Sequence, residues 1–267
     1  MSIIYINPFQ FGPSYDPDAQ DYIDRVIAAD VAAGNTSGLE VGVQDAYNTF
    51  FVGCKADGNL SALKASCILA GARTRAGSLV PLLSSMPTPT SFGFADADYN
   101  RETGLKGDGS TKYLDSNRNT NDDPQDNYHN SVYVSADIAS TTQAYIGGAE
   151  PFNEAGGTSI GGAGTGQVFV RNRTSTATIF DANLQAGLLG SSRSSSSSYT
   201  IQYSGTSGVA NEASTTPNNR DVIVFGRHPT SLTSSRLSFY SIGEAVNLSL
   251  LRARVATLMS DLAAAIP

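Results

Sequence analysis

The sequence predicts an α+β chain that is mainly β. The expected architecture is an antiparallel sandwich, preceded by a small helical segment and followed by a C-terminal helix. Three observations carry this. Short apolar runs separated by Gly and Ser turns fill the chain from Ser91 to Gly243. Helical spacing of apolar residues is confined to the stretch before residue 73 and the stretch after Asn247. The 267 residues are 40% hydrophobic but only 15% charged, against about 25% charged in typical globular chains, and 26 are glycine. That is enough apolar matter for a core, with turn-forming residues in place of charge. The expected division is an arm at 1–17, a helical segment and connector at 18–90, the sandwich at 91–245 and the last helix at 246–267.

Taken in order, the arm carries Ile3, Ile4, Tyr5, Ile6, Phe9 and Phe11, while Pro8, Pro13 and Pro17 break any helix. Such an arm cannot bury its own apolar groups, so it has to lie on its own domain or on another chain. Asp16 then suits a helix N-cap with Pro17 at the first helical position, ahead of Tyr22, Ile23, Val26 and Ile27. Gly34–Gly38 is a loop. A second helix from about Leu39 places Val43, Ala46, Tyr47, Phe50 and Cys54 on one stripe, and Asp57-Gly58-Asn59 turns the chain. A third helix is expected from Leu60, Leu63, Cys67 and Ile68, with Gly71 as its cap. Three such helices are marginal alone and are expected to pack on the larger domain. Residues 73–92 read as a stiff, proline-containing connector.

Strands are expected at Ser131–Ser135, Gln167–Arg171, Tyr199–Tyr203, Asp221–Phe225 and Arg236–Ile242. The serine run of Gly190–Ser198 reads as an ordered turn and strand start, because apolar residues resume at once with Tyr199 and Ile201. In the last helix Asn247 is the N-cap, and Leu248, Leu251, Val255, Leu258, Met259, Leu262 and Ile266 follow helical spacing. This stripe buries against the sandwich or a neighbouring subunit. Leu251, Val255 and Leu258, with Ile4, Tyr5, Ile6, Phe9 and Phe11 of the arm, are therefore candidate assembly contacts.

A formal charge of −7 with no basic face makes nucleic acid a poor partner. No apolar run approaches the roughly 20 residues of a membrane span, and the N-terminus lacks a signal-peptide pattern, so maturation in the cytoplasm of the producing cell is expected. Cys54 and Cys67 read as two buried thiols, although their spacing would let them meet across a helical hairpin. A zinc site needs four ligands, and neither His129 nor His228 lies near the cysteines. No metal or other cofactor is expected.

The densest polar stretch runs from Asn117 to His129 and offers Asn117, Asn119, Asp122, Asp123, Asp126 and His129 as ligand-binding candidates. Its spacing matches no defined calcium loop, and a solvated Asn/Asp turn is the simpler reading. His129 is expected as a hydrogen-bonded edge residue. Gly147–Thr165 is a second candidate ligand loop. Glu150 with Glu154, or Asp122 with Asp123, are the carboxylates a glycosidase would need, but no Glu-x-Asp-x-x-Glu strand and no Trp is present. Gly157-Thr-Ser-Ile-Gly161 fits a nucleophile elbow by letter only and reads as part of a Gly-rich loop. His228 follows an apolar strand and reads as a loop residue, and Gly161–Gly166 lacks the Lys-Ser/Thr of a phosphate loop. No catalytic residue is expected.

The stretch Asp98-Tyr-Asn-Arg-Glu-Thr-Gly-Leu-Lys-Gly-Asp-Gly-Ser-Thr-Lys-Tyr-Leu-Asp115, together with Leu237-Ser-Phe-Tyr-Ser-Ile-Gly-Glu-Ala245 and its following helix, resembles a domain common in virion proteins of tailed bacteriophages. These include phages of marine bacteria and cyanobacteria, and the domain is similar to the concanavalin A-like, laminin-G type of jelly roll. Phe51-Val-Gly-Cys-Lys-Ala-Asp-Gly58 and Lys64–Arg73 resemble the segment that precedes it, so the likeness spans about residues 40–266. The resemblance implies a non-enzymatic virion structural protein, a head decoration or a tail or fibre component. It would pack through its arm and helices against other virion proteins and copies of itself, as a trimer first, in a virion assembled in the bacterial host cytoplasm. It brings no binding residues with it. On the same scaffold the alternative is an adhesin module binding a host receptor or surface glycan, and after that a polysaccharide hydrolase.

Overall fold

The computed structural model describes residues 15–136, 142–164, 166–181, 184–203 and 205–267. The arm residues Ile4, Tyr5, Ile6, Phe9 and Phe11, and Thr165 of the second candidate loop, lie outside these. The chain opens with helices α1 (Pro17–Ala32) and α2 (Val41–Ala56), strand β1 (Leu63–Ile68) and the short α3 (Arg75–Ser78). The strands β2 (Thr90–Phe92), β3 (Tyr99–Asn100), β4 (Gly104–Lys106), β5 (Tyr113–Asn119), β6 (Tyr128–Ala136), β7 (Gln143–Gly148) and β8 (Gly157–Gly162) follow. Then come β9 (Gln167–Thr174), β10 (Thr178–Asp181), β11 (Gly187–Arg193), β12 (Tyr199–Tyr203), β13 (Thr206–Ala210), β14 (Asp221–Val224) and β15 (Arg236–Gly243), and finally helix α4 (Leu248–Ala265).

The strands form two antiparallel sheets, and the fold is the jelly-roll sandwich with N- and C-terminal helices that the sequence predicts. The first sheet runs β13-β12-β11-β6-β15-β4-β3, and β1 also pairs with β15. The second runs β10-β9-β8-β7-β14-β5-β2. Between them Leu105, Leu114, Val132, Ile146, Ile160, Val170, Leu189 and Val224 form one buried core. A second core lies on the outside of the first sheet. There α1, α2 and α4 bury Tyr22, Val26, Tyr47, Phe50, Leu251 and Val255 against Leu188 and Phe239. The ring of Phe50 meets that of Phe239 edge-on at 5.9 Å.

The terminal helices form where their caps predict. The Asp16 carboxylate accepts from the Asp18 amide, with Pro17 at the first helical position, and the Asn247 side chain accepts from the Leu250 amide. The third expected helix is instead strand β1. Ala65 and Cys67 face the inter-sheet core while Leu63 and Ile68 face the helix layer. A strand covered on both sides loses its polar face, and over six residues its apolar spacing imitates a helix. Gly71 adopts φ +87° at the exit from this strand, not at a helix end, and a Cβ there would strike the Tyr47 hydroxyl. There is accordingly no three-helix bundle at the N-terminus: α4 supplies the missing partner.

Leu251, Val255 and Leu258 are also corrected by the fold. All three are buried within their own chain, at 0%, 0% and 1% exposure, and offer no surface to a neighbour. Cys54 and Cys67 are free and buried, and burial pushes each thiol up to about 12. Gly157–Gly161 is not a loop but most of β8. A Cβ at Gly161 would meet the Gln143 carbonyl at 2.1 Å and the Phe169 ring at 2.5 Å, which accounts for glycine there. No helix among the described residues is long and apolar enough to cross a membrane.

One buried carboxylate ties α1 to the chain beyond β1. Asp30 accepts from the Arg73 amide (2.9 Å), the Thr74 amide (2.8 Å) and the Thr74 hydroxyl (2.7 Å). Asp30→Asn removes one of the two acceptor oxygens and the charge. It should cost about 1–2 kcal/mol of folding free energy in urea denaturation, and an unchanged midpoint would show the contacts carry nothing.

Candidate functional site

With the helices packed on the first sheet, the second sheet presents its outer face to loops and solvent. Alternation on β5 sends Leu114 and Ser116 inward and leaves Tyr113, Asp115 and Asn117 on the outer side. On β14, Val222 and Val224 enter the core while Asp221 and Ile223 face out, with Ile223 opposite Asp115 on one side and Gly147 on the other. The β7–β8 loop brings Ala149 and Glu150 to the rim, and the turn after β14 brings Arg227, His228 and Pro229. Together these residues and Arg220 line a hollow of about 290 Å³.

Its electrostatics are mixed and fixed. The Arg227 guanidinium donates to the Ala149 carbonyl (2.7 Å) and to Glu150 Oε2 (3.0 Å). Arg220 pairs with Glu154 at 3.1 Å and donates to the Glu150 carbonyl at 2.9 Å. Burial works to raise the Glu154 carboxyl, but the Arg220 hydrogen bond, the Glu150 amide and Asn218 outweigh it and hold the group below its ordinary value. Asp115 goes the other way. Partial burial first, and then the like charge of Asp221, lift its carboxyl above the usual range despite the hydrogen bond from the Asn117 amide. His228 Nδ1 lies 3.1 Å from the Thr230 hydroxyl and 3.8 Å from Glu150.

One wall is aromatic. Tyr113 stacks on Phe92 of β2 with centroids 4.5 Å apart and planes at 14°, and Phe92 is 40% exposed. A flat apolar ring pair thus stands beside acceptors (Asp115, Glu150, Asp221) and donors (Arg220, Arg227). A polyol ring has the matching chemistry, with an apolar C–H face and a rim of hydroxyls that both donate and accept.

The six residues singled out in Asn117–His129 do not converge, and none lines this hollow. Asn117 donates to the Thr88 carbonyl (2.6 Å) and the Thr90 hydroxyl (3.0 Å), tying β5 to the chain at β2. The Asn119 amide is capped by Asp122 at 2.7 Å. Asp123 is buried against Arg118, and Asp126 accepts from the Ser214 hydroxyl. His129 is not at an edge. It sits on β6 between β11 and β15, fully buried, with Nδ1 at the Glu244 carbonyl and Nε2 2.9 Å from the Ser241 hydroxyl. No group of three or more His, Cys, Asp or Glu among the described residues could hold a metal ion. Of the carboxylates considered for catalysis, Glu150 lines the hollow and Glu154 braces it, while Asp122 and Asp123 lie elsewhere.

Asp115, Arg220 and Asp221 were missed because β5 and β14 come together from more than a hundred residues apart. The available signals were the Tyr113-Leu-Asp115 alternation and charged residues directly before the apolar run at Val222.

No protein-family model matches the sequence, and no curated protein matches it. Among solved structures the chain is similar to the NanB sialidase of Streptococcus pneumoniae (16% identity, 49% of this chain and 24% of that one, TM-score 0.38). It is also similar to domain 4 of AbnA, a GH43 extracellular arabinanase from Geobacillus stearothermophilus in complex with arabinotriose (13% identity, 72% and 97%, TM-score 0.44). A third is the pair of LG4-5 domains of the mouse laminin α1 chain (12% identity, 44% and 33%, TM-score 0.29). The chain spans about a quarter of the sialidase and a third of the laminin segment.

Proposed function

We propose that this chain is a glycan-binding, adhesin-type module that holds a sugar in the hollow on the outer face of the second sheet. The observation that carries this is the stacked Phe92–Tyr113 pair beside ion-paired carboxylates and guanidiniums. Glu150 and Glu154 each stand against an arginine, an arrangement suited to accepting hydrogen bonds from hydroxyls rather than to protonating a leaving oxygen. The reading is therefore binding without hydrolysis. The setting proposed with it is a tailed-phage virion, where the chain decorates the head or forms part of a tail or fibre with copies of itself. That setting is supported by the resemblance at Asp98–Asp115 and Leu237–Ala245. Copurification with virions tests it, and a monomer in light scattering with no virion association would count against it.

The site is tested by a glycan array followed by titration calorimetry. Tyr113→Ala should weaken the glycan found by at least fivefold, roughly 1–3 kcal/mol, with the fold intact by circular dichroism. Incubation should release no reducing ends. A chain that binds no glycan, or a Tyr113→Ala variant that binds as well as the parent, would overturn the assignment.

A further inference from the structure

Beside the hollow lies a buried cation with no carboxylate in direct contact among the described residues, the Glu154 charge acting on it only from a distance. Arg171 of β9 has 0% exposure, and the nearest carboxylates, Glu150 and Glu154, are paired with Arg227 and Arg220 instead. Its Nη2 donates to the carbonyls of Glu154 and Thr174, while Nε and Nη1 have no acceptor among the described residues. A buried guanidinium with two idle donor atoms is costly, and an oxyanion is what such a charged donor takes, through a single hydrogen bond from Nε or Nη1, because Nη2 is already used by the two carbonyls.

The cover over this group is a single side chain. The Phe152 ring lies with its centroid 5.5 Å from Arg171 Cζ and 5.2 Å from Arg227 Cζ, and edge-on to Phe169 at 5.2 Å. Phe152 is itself 37% exposed and rides on the β7–β8 loop, between Gly148 and Gly156. Next to it a cavity of about 120 Å³ is lined by Phe152, Phe169, Arg227 and Ser231. Turning Phe152 into solvent would open Arg171 beside Arg227, which already lines the hollow.

We infer that Arg171 beneath Phe152 is an anion subsite that takes the carboxylate or sulfate group of an acidic sugar while the neighbouring hollow holds its ring. This deepens the proposed glycan-binding function and rests on it. The chain carries −7 overall, so a general attraction for polyanions is excluded and the preference has to come from this buried guanidinium.

The test titrates the full chain and two variants with dextran, dextran sulfate and oligogalacturonate, and with sulfate and acetate ions alone. The parent should bind one acidic polymer at least tenfold more tightly than dextran, and which one separates sulfate from carboxylate. Phe152→Ala, a change at a half-exposed position, should strengthen that binding at least threefold and leave dextran unchanged. Arg171→Met should abolish the preference. If Arg171→Met does not fold, the Phe152→Ala result alone decides. Equal affinity for neutral and acidic polymers, unmoved by Phe152→Ala, overturns the subsite while leaving the glycan-binding function in place. A parent that binds no glycan, with Phe152→Ala gaining affinity for free sulfate or acetate, overturns the function and keeps the subsite.

Discussion

Arg193→Met should cost about 3–5 kcal/mol of folding free energy, because it removes several hydrogen bonds from one charged donor at once. The Arg193 guanidinium is buried and donates only to main-chain carbonyls. Nε and Nη2 reach Asn172 at 3.1 and 2.9 Å, Nη1 reaches Ser195 at 2.8 Å and Ser198 at 3.2 Å, and Nη2 reaches Glu212 at 3.0 Å. Its Cζ sits over the Tyr199 ring at 5.0 Å. Residues 194–198 are all serine and supply nothing apolar to bury, so this turn between β11 and β12 is ordered by its carbonyls meeting one arginine. Methionine fills the volume but leaves the buried Asn172 carbonyl unpaired and the partly buried carbonyls of Ser195, Ser198 and Glu212 without their charged donor. Arg193→Lys restores a charge with three donors on a flexible stem and cannot span the same fork, so it should recover only part of the loss. Urea unfolding gives the number, and amide exchange across 194–198 locates it. A loss below about 1 kcal/mol would mean that water replaces the arginine at little cost.

A second expected result is a fall in stability of about 3 kcal/mol between pH 6.5 and pH 4 that originates at His129. Burial of the ring, opposed by the carbonyls of Glu244 and Gly243, pushes its pKa down from 6.5 to about 4. In that window the unfolded chain binds a proton on this imidazole and the folded chain does not. Acid therefore draws the equilibrium toward the unfolded state. The loss begins as pH drops through 6.5 and is complete once it drops below about 4, where both states are protonated. His129→Gln removes the titration. It should lower stability at neutral pH by breaking the contacts to Ser241 and Glu244, yet flatten the pH profile by the stated amount relative to the parent. Carboxylates titrate in both proteins and cancel in the difference. Parallel profiles from pH 7.5 to 4 would refute the assignment.

The readable parts of this fold were those fixed by local chemistry. Asp16-Pro17 and Asn247 announce the starts of α1 and α4, and Val132, Val134, Leu237 and Phe239 alternate as strands do. Strand β1 was illegible because its character comes from what covers it: helices on one side, the opposite sheet on the other. His129 was misplaced for a related reason, since a histidine at the end of a polar run looks solvated until β11 and β15 close around it. The candidate site was hidden more deeply. Asn117–His129 is rich in oxygen atoms, but its polar groups are consumed by structural partners: Asn119 and Asp122 within the turn, Asn117 by Thr88 and Thr90, Asp126 by Ser214, and His129 by Glu244 and Ser241. The hollow draws instead on β5, the β7–β8 loop and the flanks of β14. Arg171, Arg173 and Arg193 went unnoticed because arginine in a strand is ordinarily read as surface, and all three have 0% exposure.

The pairing of β1 with β15 also sets the order in which the protein can be made. Ile68 lies opposite Phe239, so the two partners are separated by about 170 residues of chain, which at roughly 5–20 residues per second take on the order of ten seconds or more to synthesise. Until β15 leaves the ribosome, β1 has only the short bridge of Cys67 to Pro81 to pair with, and α1 and α2 lack both Phe239 and α4 as a packing surface. Tyr22 can already pack on Tyr47 and Phe51, but Phe50 must wait for Phe239, so the layer of helices closes only when the last strand and helix have been made.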